Sequence, residues 1–185
     1  KDCTFTENKA GNNGGAIYAE VRDSLQIANC NFNNNQVASS NYNGSSIYCK
    51  LGWIQNVGDS FDELNLTKST FTFTPDENNL INIYIKNNCN NECNSNPIAE
   101  VFIGGCIFSA NSQSSTEFKH LLIDSFGTGF KSVNFVECNC VRQGKNTVQI
   151  PTKFTLENFN FDCKGDTCTP GEVIPGVPDV TAPPA

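Results

Sequence analysis

Ten of the 185 residues are cysteines, and three pairs lie close in sequence: Cys89-x3-Cys93, Cys138-x-Cys140 and Cys163-x4-Cys168. Thiolate pairs at short spacing are the usual frame of a zinc site. Here no pair of matching spacing and no histidine completes one, so disulfides are the better reading, with Cys89–Cys93 and Cys163–Cys168 as candidates and no metal expected. So many cysteines in a small acidic chain suggest an oxidising compartment, with buried free thiols as the alternative. Carboxylates are the second reactive group. Paired carboxylates on one face are what glycoside hydrolysis requires. The adjacent acids Asp62-Glu63 and Asp76-Glu77 would instead point to opposite faces of a strand. Asp59-Ser60-Phe61-Asp62-Glu63 has three carboxylates but neither the ligand spacing nor the glycine of a calcium loop, and reads as a solvated acidic turn. The two arginines, Arg22 and Arg142, stand apart from any acidic cluster, and the single histidine, His120, reads as a solvent-facing strand or corner residue. No catalytic group and no cofactor is expected.

Charge narrows the partners. With 19 acidic against 12 basic side chains and a net charge of −7, the chain offers no basic face for phosphates, which sets aside nucleic acid and anionic membrane. No apolar run approaches the roughly 18 residues of a membrane span. Asparagine recurs in runs such as Asn33-Asn34-Asn35 and Asn90-Asn91, which favour turns and left-handed corners over helix interiors. Two sequons, at Asn43 and Asn65, are candidate N-glycosylation sites.

An internal repeat positions these residues. Cys3-Thr4-Phe5 returns as Cys30-Asn31-Phe32, Ser69-Thr70-Phe71, Cys106-Ile107-Phe108, Val133-Asn134-Phe135 and Phe159-Asn160-Phe161, with phenylalanines 27, 39, 37, 27 and 26 residues apart. A second apolar run follows in the first five units, at Ile17-Tyr18, Ile47-Tyr48, Ile83-Tyr84, Leu122-Ile123 and Val148 to Ile150. A third closes each, at Leu25/Ile27, Leu64/Leu66, Val101/Ile103, Phe130 and Phe154/Leu156. Three short strands per repeat, none able to bury its apolar side alone, describe a β-solenoid whose coils pair about 4.8 Å apart and stack like residues in ladders. Phe5, Phe32, Phe71, Phe108, Phe135 and Phe161 are expected to form one inward ladder. A β-sandwich is the structural rival. Cys3, Cys30 and Cys106 share a repeat position at disulfide distance, but parallel Cβ vectors would strain such a bond, and a thiol ladder is the other reading of Cys3 and Cys30.

Phe5-Thr6-Glu7-Asn8 followed by Gly14-Gly15-Ala16-Ile17 resembles the paired FxxN and GGAI motifs of the polymorphic outer-membrane-protein repeats found in chlamydial and some protist surface proteins. Phe32 to Asn35 with Gly44-Ser45-Ser46-Ile47 is a weakened copy, and Phe108 to Asn111 keeps the first half. At Phe71, Phe135 and Phe161 the asparagine is replaced by Thr74, Cys138 and Lys164. The resemblance implies an all-β, right-handed parallel β-helix, here of about six coils, displayed outside the cell and associated with adhesion. In physical terms the asparagine can satisfy backbone groups at a tight corner, and the paired glycines permit positive φ.

Recognition residues follow from this scaffold. The two long units carry insertions after the second strand, Lys50 to Ser60 and Asn87 to Ile98, which should leave neighbouring coils side by side. Trp53 in the first is a candidate binding residue, or else the cap of a local apolar patch. Tyr18, Tyr48 and Tyr84 share one repeat position and by alternation should face outward, as cross-strand stabilisers or as a platform for sugar rings or proline. Residues 1–168 read as the β-helix domain and 169–185, with five prolines, as an extended tail or linker. The expected function is a secreted or cell-surface adhesive or structural protein that is not an enzyme. Its partners would be proteins, by end-to-end self-association or on a cell surface, and glycans. A carbohydrate-binding or polysaccharide-degrading β-helix is the alternative. Only two residues precede the first motif, leaving no room for a cap, so head-to-tail stacking clasped by the tail is expected, unless the chain is a piece of a longer β-helix.

Overall fold

The computed structural model describes residues 1–52, 62–87, 99–111, 118–125, 130–142, 146–149, 158–164 and 168–170. These residues form strands and turns without a helix. Trp53, Cys89 and Cys93 lie outside them, as do Phe154, Leu156 and the tail beyond Pro170.

The first circuit of the chain runs through β1 (Thr4–Thr6), β2 (Lys9–Ala10), β3 (Ile17–Glu20) and β4 (Ser24–Ala28). The second repeats it with β5 (Asn31–Asn33), β6 (Gln36–Val37), β7 (Ile47–Leu51) and β8 (Asp62–Thr67). The third has β9 (Thr70–Phe73), β10 (Ile81–Asn87) and β11 (Ala99–Gly104), and the fourth β12 (Ile107–Ala110) and β13 (Phe118–Ser125). β14 (Phe130–Arg142) ends the fourth circuit and begins the fifth, which continues through β15 (Asn146–Gln149) to β16 (Asn158–Lys164), and β17 (Cys168–Pro170), which pairs β15, lies one circuit further.

Every strand pairing is parallel, and strands of like position in successive circuits pair with each other. One sheet has the order β1-β5-β9-β12-β14-β11-β8-β4, with β16 also on β14; a second runs β17-β15-β13-β10-β7-β3; β2 pairs β6. Parallel neighbours separated by a whole circuit, in register, are what stacked coils produce, and the arrangement is compatible with a parallel β-helix. A β-sandwich built from antiparallel hairpins is excluded for these strands. The expected tail begins inside β17, where Thr169 pairs Thr147 and Pro170 pairs Val148.

The core lies between the sheets. Phe5↔Phe32↔Phe71↔Phe108 are register partners. Their rings stack at centroid distances of 4.8, 4.7 and 5.1 Å. Phe32, Phe71 and Phe108 are fully buried, while Phe5, at the end of the ladder, is half-buried. Ile47, Ile83 and Leu121 from the second strands and Leu64, Leu66, Val101 and Ile103 from the third fill the remaining walls.

The expected ladder breaks after Phe108. Phe108 pairs Cys140, whereas Phe135 pairs Ile103 and Phe161. The fifth repeat therefore starts at Cys138-Asn139-Cys140, not Val133-Asn134-Phe135, and Phe159-Asn160-Phe161 is a third strand. Matching phenylalanine to phenylalanine shifted the register, because Phe135 also aims inward. From its own column it stacks on Phe108 at 5.7 Å.

Two corners explain the motif. In the first, Asp2, Asn29, Lys68, Gly105 and Glu137 hold φ of 57, 55, 48, 62 and 53°, each just before Cys3, Cys30, Ser69, Cys106 and Cys138. Asparagine and glycine tolerate this left-handed conformation best, and here a side chain bridges the corner each time. The thiols of Cys3, Cys30, Cys106 and Cys138 donate to the carbonyls of Lys1, Ala28, Gly104 and Val136. Ser69 Oγ does the same to Thr67 at 2.9 Å.

The second corner follows FxxN. Glu7 and Asn34 have φ of 53 and 50°, and of the asparagines that follow, Asn35 is buried while Asn8, in the first circuit, is exposed. Asn35 Oδ1 accepts from the Asn8 backbone N–H at 3.1 Å and from Asn8 Nδ2 at 2.8 Å, and Asn35 Nδ2 donates to the Phe5 carbonyl at 3.0 Å. Where Thr74 replaces this asparagine, β9 runs one residue further and buries Phe73 against Phe118 and Ala110. Asn111 is exposed, and Ala110 before it is not left-handed as Glu7 and Asn34 are.

Candidate functional site

Two sheet faces carry side chains away from the core. On β3, β7 and β10, Tyr18, Tyr48 and Tyr84 pair in register and stack at 5.3 and 5.0 Å. They stand opposite Ile47, Cys49, Ile83 and Ile85, as alternation requires. Of the two readings of this column, cross-strand stacking describes Tyr48 and Tyr84, and a ring face is open at Tyr18. Stacked faces cover each other, so Tyr48 and Tyr84 are 5% and 7% exposed, while Tyr18 is 47% exposed.

Tyr18 is held by charge. Its hydroxyl donates to Glu20 Oε1 at 2.6 Å, Lys50 Nζ pairs with the same oxygen at 2.8 Å, and that ammonium lies 5.3 Å from the Tyr18 centroid. The hydrogen bond from Lys50, then that from Tyr18, holds the Glu20 carboxyl below its ordinary value. The bond to Glu20, then that to Tyr18, holds the Lys50 ammonium well above its own. At the other end of the column, burial and then a short hydrogen bond to Asp124 push the Tyr84 phenol up. One exposed ring beside a fixed ion pair can contact an apolar ligand face and bond to its polar rim.

The other face belongs to β8, β11 and β14. Glu63, Glu100 and Ser132 form one outward column, and Asn65, Phe102 and Asn134 the next. Together they line a groove of about 240 Å³. Asn65, a sequon asparagine, donates from Nδ2 to Glu63 Oε1 at 3.4 Å. Asn43, in the other sequon, is half-buried, and its backbone N–H donates to Asn13 Oδ1 at 2.7 Å. The groove escaped sequence reasoning, although setting Asp62-Glu63-Leu64-Asn65-Leu66 over Ala99-Glu100-Val101-Phe102-Ile103 stacks the two glutamates.

Several chemical expectations change. His120 is fully buried, packed against Phe73, Phe108 and Phe118 at 5.9, 5.5 and 5.3 Å, not solvent-facing. An irregular register between Lys119 and Leu121 turns it inward. Asp62 is not part of a solvated turn. It is buried, points opposite to Glu63 as expected, and accepts from the Gly52 N–H at 2.7 Å, closing the root of the segment that contains Trp53. Among the described residues no three His, Cys, Asp or Glu side chains converge as a metal-holding group.

The cysteines whose side chains are described, Cys3, Cys30, Cys49, Cys106 and Cys138, carry no disulfide. Cys89 and Cys93, and the side chains of Cys163 and Cys168, lie outside the described ones. Along the corner column Cys138 pairs Cys163 in backbone register, so Cys163 continues the repeat position of Cys3 and Cys30. A thiol bridging a corner needs no disulfide partner, which weakens the inference of compartment from cysteine number. Burial pushes Cys49 up to about 12, and a hydrogen bond from Cys138 lowers Cys106 against its own burial. Because the thiolate is the nucleophile and must be reached, exposed Cys3 is expected to react with a thiol reagent in the folded chain. Cys30, Cys49, Cys106 and Cys138 should react only on unfolding. Mass mapping of labelled peptides checks this; a Cys3–Cys30 or Cys106–Cys138 bridge in native protein would contradict it.

Residues 2–20 match the Chlamydia polymorphic membrane protein repeat. They hold the first FxxN corner, the glycine pair and β3, so the matched segment is most of one circuit. Neither a curated protein nor a solved structure matches the chain. Among the described residues no helix is long and apolar enough to cross a membrane. The repeat is that of a surface, outer-membrane family, and it supports a surface location for this chain in that coarse sense.

Proposed function

We propose that this chain is a segment of an extracellular, surface-displayed right-handed β-helix of about six coils that serves adhesion and is not an enzyme. The observation that carries the reading is the match over residues 2–20, because the matched motif is the one that turns the chain at Glu7, Asn8 and Gly14. Parallel in-register stacking extends that circuit through the following ones. Such a scaffold holds exposed residues rigidly, which lowers the entropy lost when a partner binds. Tyr18 and its ion pair are the recognition elements on the second sheet, and Trp53 is a further one by its place in the insertion.

Display of the full chain on a bacterial surface, with adherence to cultured cells as the readout, tests this. Adherence should exceed that of a scaffold without the chain. Tyr18→Ala and Trp53→Ala should lower it while leaving the unfolding midpoint unchanged. Adherence no greater than the scaffold's removes the adhesive reading. Self-association belongs to the same proposal, since strands that stack coil on coil in parallel register offer one copy the same edge-to-edge pairing with the next. Light scattering that finds only monomer at high concentration removes that part alone.

A further inference from the structure

The groove over β8, β11 and β14 combines three kinds of group within two columns of three residues. Phe102 supplies an aromatic face, Glu63 and Glu100 paired carboxylates, and Asn65, Asn134 and Ser132 groups that both donate and accept. All six side chains are half-buried, so each is partly fixed by its neighbours yet reachable. The position of the ring is itself built into the strand. Phe102 leans over buried Gly104, where a Cβ would fall 2.6 Å from ring atom Cε1. Any larger residue at 104 would lift the ring toward Glu100 and narrow the groove.

We propose that this groove binds one uncharged pyranose ring of a glycan on a partner surface. A sugar ring has an apolar C–H face and a rim of hydroxyls that donate and accept, and the groove offers a counterpart to each. The carboxylates take hydroxyl hydrogens in charge-assisted bonds, and the amides bond to ring and hydroxyl oxygens. At about 240 Å³ the groove falls below the roughly 300–1,000 Å³ of pockets that enclose drug-sized ligands, which fits one ring rather than an oligosaccharide. The stacked Glu63 and Glu100 repel uronates and sulfated sugars, so an acidic polysaccharide is disfavoured. A cationic side chain would engage the carboxylates but leave Phe102 and the amides without a role.

The inference deepens the adhesive reading and rests on it for its biological sense, but its test is separate. Full-length chain made in a host without N-glycosylation is titrated by NMR with methyl glucoside, methyl galactoside and methyl N-acetylglucosaminide. Methyl glucuronide and lysine amide serve as the charged comparators. At least one neutral glycoside is expected to bind, and the comparators roughly tenfold more weakly or not at all. Phe102→Leu, which keeps apolar cover over Gly104 without a ring face, and Glu100→Gln should each weaken binding by roughly tenfold. Lys9→Ala, at an exposed position of β2 on another sheet, should leave it unchanged. The proposal is overturned if no neutral glycoside binds, if a charged comparator binds as tightly, or if Phe102→Leu binds like the parent. Loss of glycoside binding in Glu100→Gln with cell adherence intact would confine the groove's role to a sugar the cells do not require. Loss of both would place the groove in the adhesive surface.

Discussion

Phe71→Ala is expected to destabilise the chain by about 3–5 kcal/mol, the cost of truncating a fully buried aromatic ring and leaving a cavity behind. Phe71 lies in the middle of its ladder, with Phe32 at 4.7 Å on one side and Phe108 at 5.1 Å on the other. Its ring has no exposed surface, so the surrounding coils can close the gap only by bringing together strands whose spacing is fixed by their hydrogen bonds. Phe5→Ala provides the internal comparison. Phe5 is half-buried and stacks on one ring only, so its truncation should cost well under half as much. Urea denaturation of the three proteins, read by circular dichroism, separates them. Equal midpoints for parent and Phe71→Ala would show that the ladder is not the core, and equal losses at Phe5 and Phe71 would show that the ladder's end is covered.

The same ladder shows what could be read in the residues and what could not. Phe5, Phe32, Phe71 and Phe108 were legible because each is preceded two residues earlier by Cys3, Cys30, Ser69 or Cys106, and side-chain type and corner agree. At Phe135 the two signals separate. The corner residue is Cys138, and following it rather than the phenylalanine would have led to Cys140 as the partner of Phe108. The tyrosine column was legible from alternation, but exposure was not, since in a ladder each ring is covered by the next coil rather than by its own strand. His120 could not be placed because an irregular register adds a buried residue that alternation assigns to solvent. Four cysteines acquire their meaning from the corner and not from their number: Cys3, Cys30, Cys106 and Cys138 each follow a left-handed residue and make a local bond from side chain to carbonyl that serine makes equally well at Ser69. The Glu63 and Glu100 groove was hidden because its residues are ordinary alone and acquire meaning only when two circuits of unequal length are stacked.

Gly15→Ala is expected to cost at least as much as the upper part of the roughly 1–3 kcal/mol typical of overpacking a close-packed site. The reason is not the one that paired glycines suggest. Gly14 does have a φ of 75°, but Gly15 is absent from the left-handed set, so its need is for space. A Cβ at Gly15 would lie 2.1 Å from the Ser45 carbonyl oxygen and 2.6 and 2.8 Å from the Gln36 oxygen and nitrogen. All three are backbone atoms of the next circuit, and relief requires the two coils to separate where Gly15 donates its N–H to the Gly44 carbonyl at 3.1 Å. Two controls isolate the effect. At Gly11 a Cβ meets nothing within 4 Å, so Gly11→Ala should fall within about 0.5 kcal/mol of the parent. At Gly104 the obstacle is the Phe102 ring, a side chain that can rotate away, so Gly104→Ala should cost less than Gly15→Ala while closing the groove. Thermal and urea unfolding of the three variants gives the ranking Gly15, then Gly104, then Gly11. If Gly15→Ala were as stable as Gly11→Ala, the first two circuits would not be stacked at this corner. The motif would then mark a loop, and the residue 2–20 match would lose its structural meaning. If the ranking holds, coil contact explains Gly15 as the left-handed φ explains Gly14, and recognition must come from residues that face away from them, Tyr18 on one sheet and Phe102 with its two glutamates on the other.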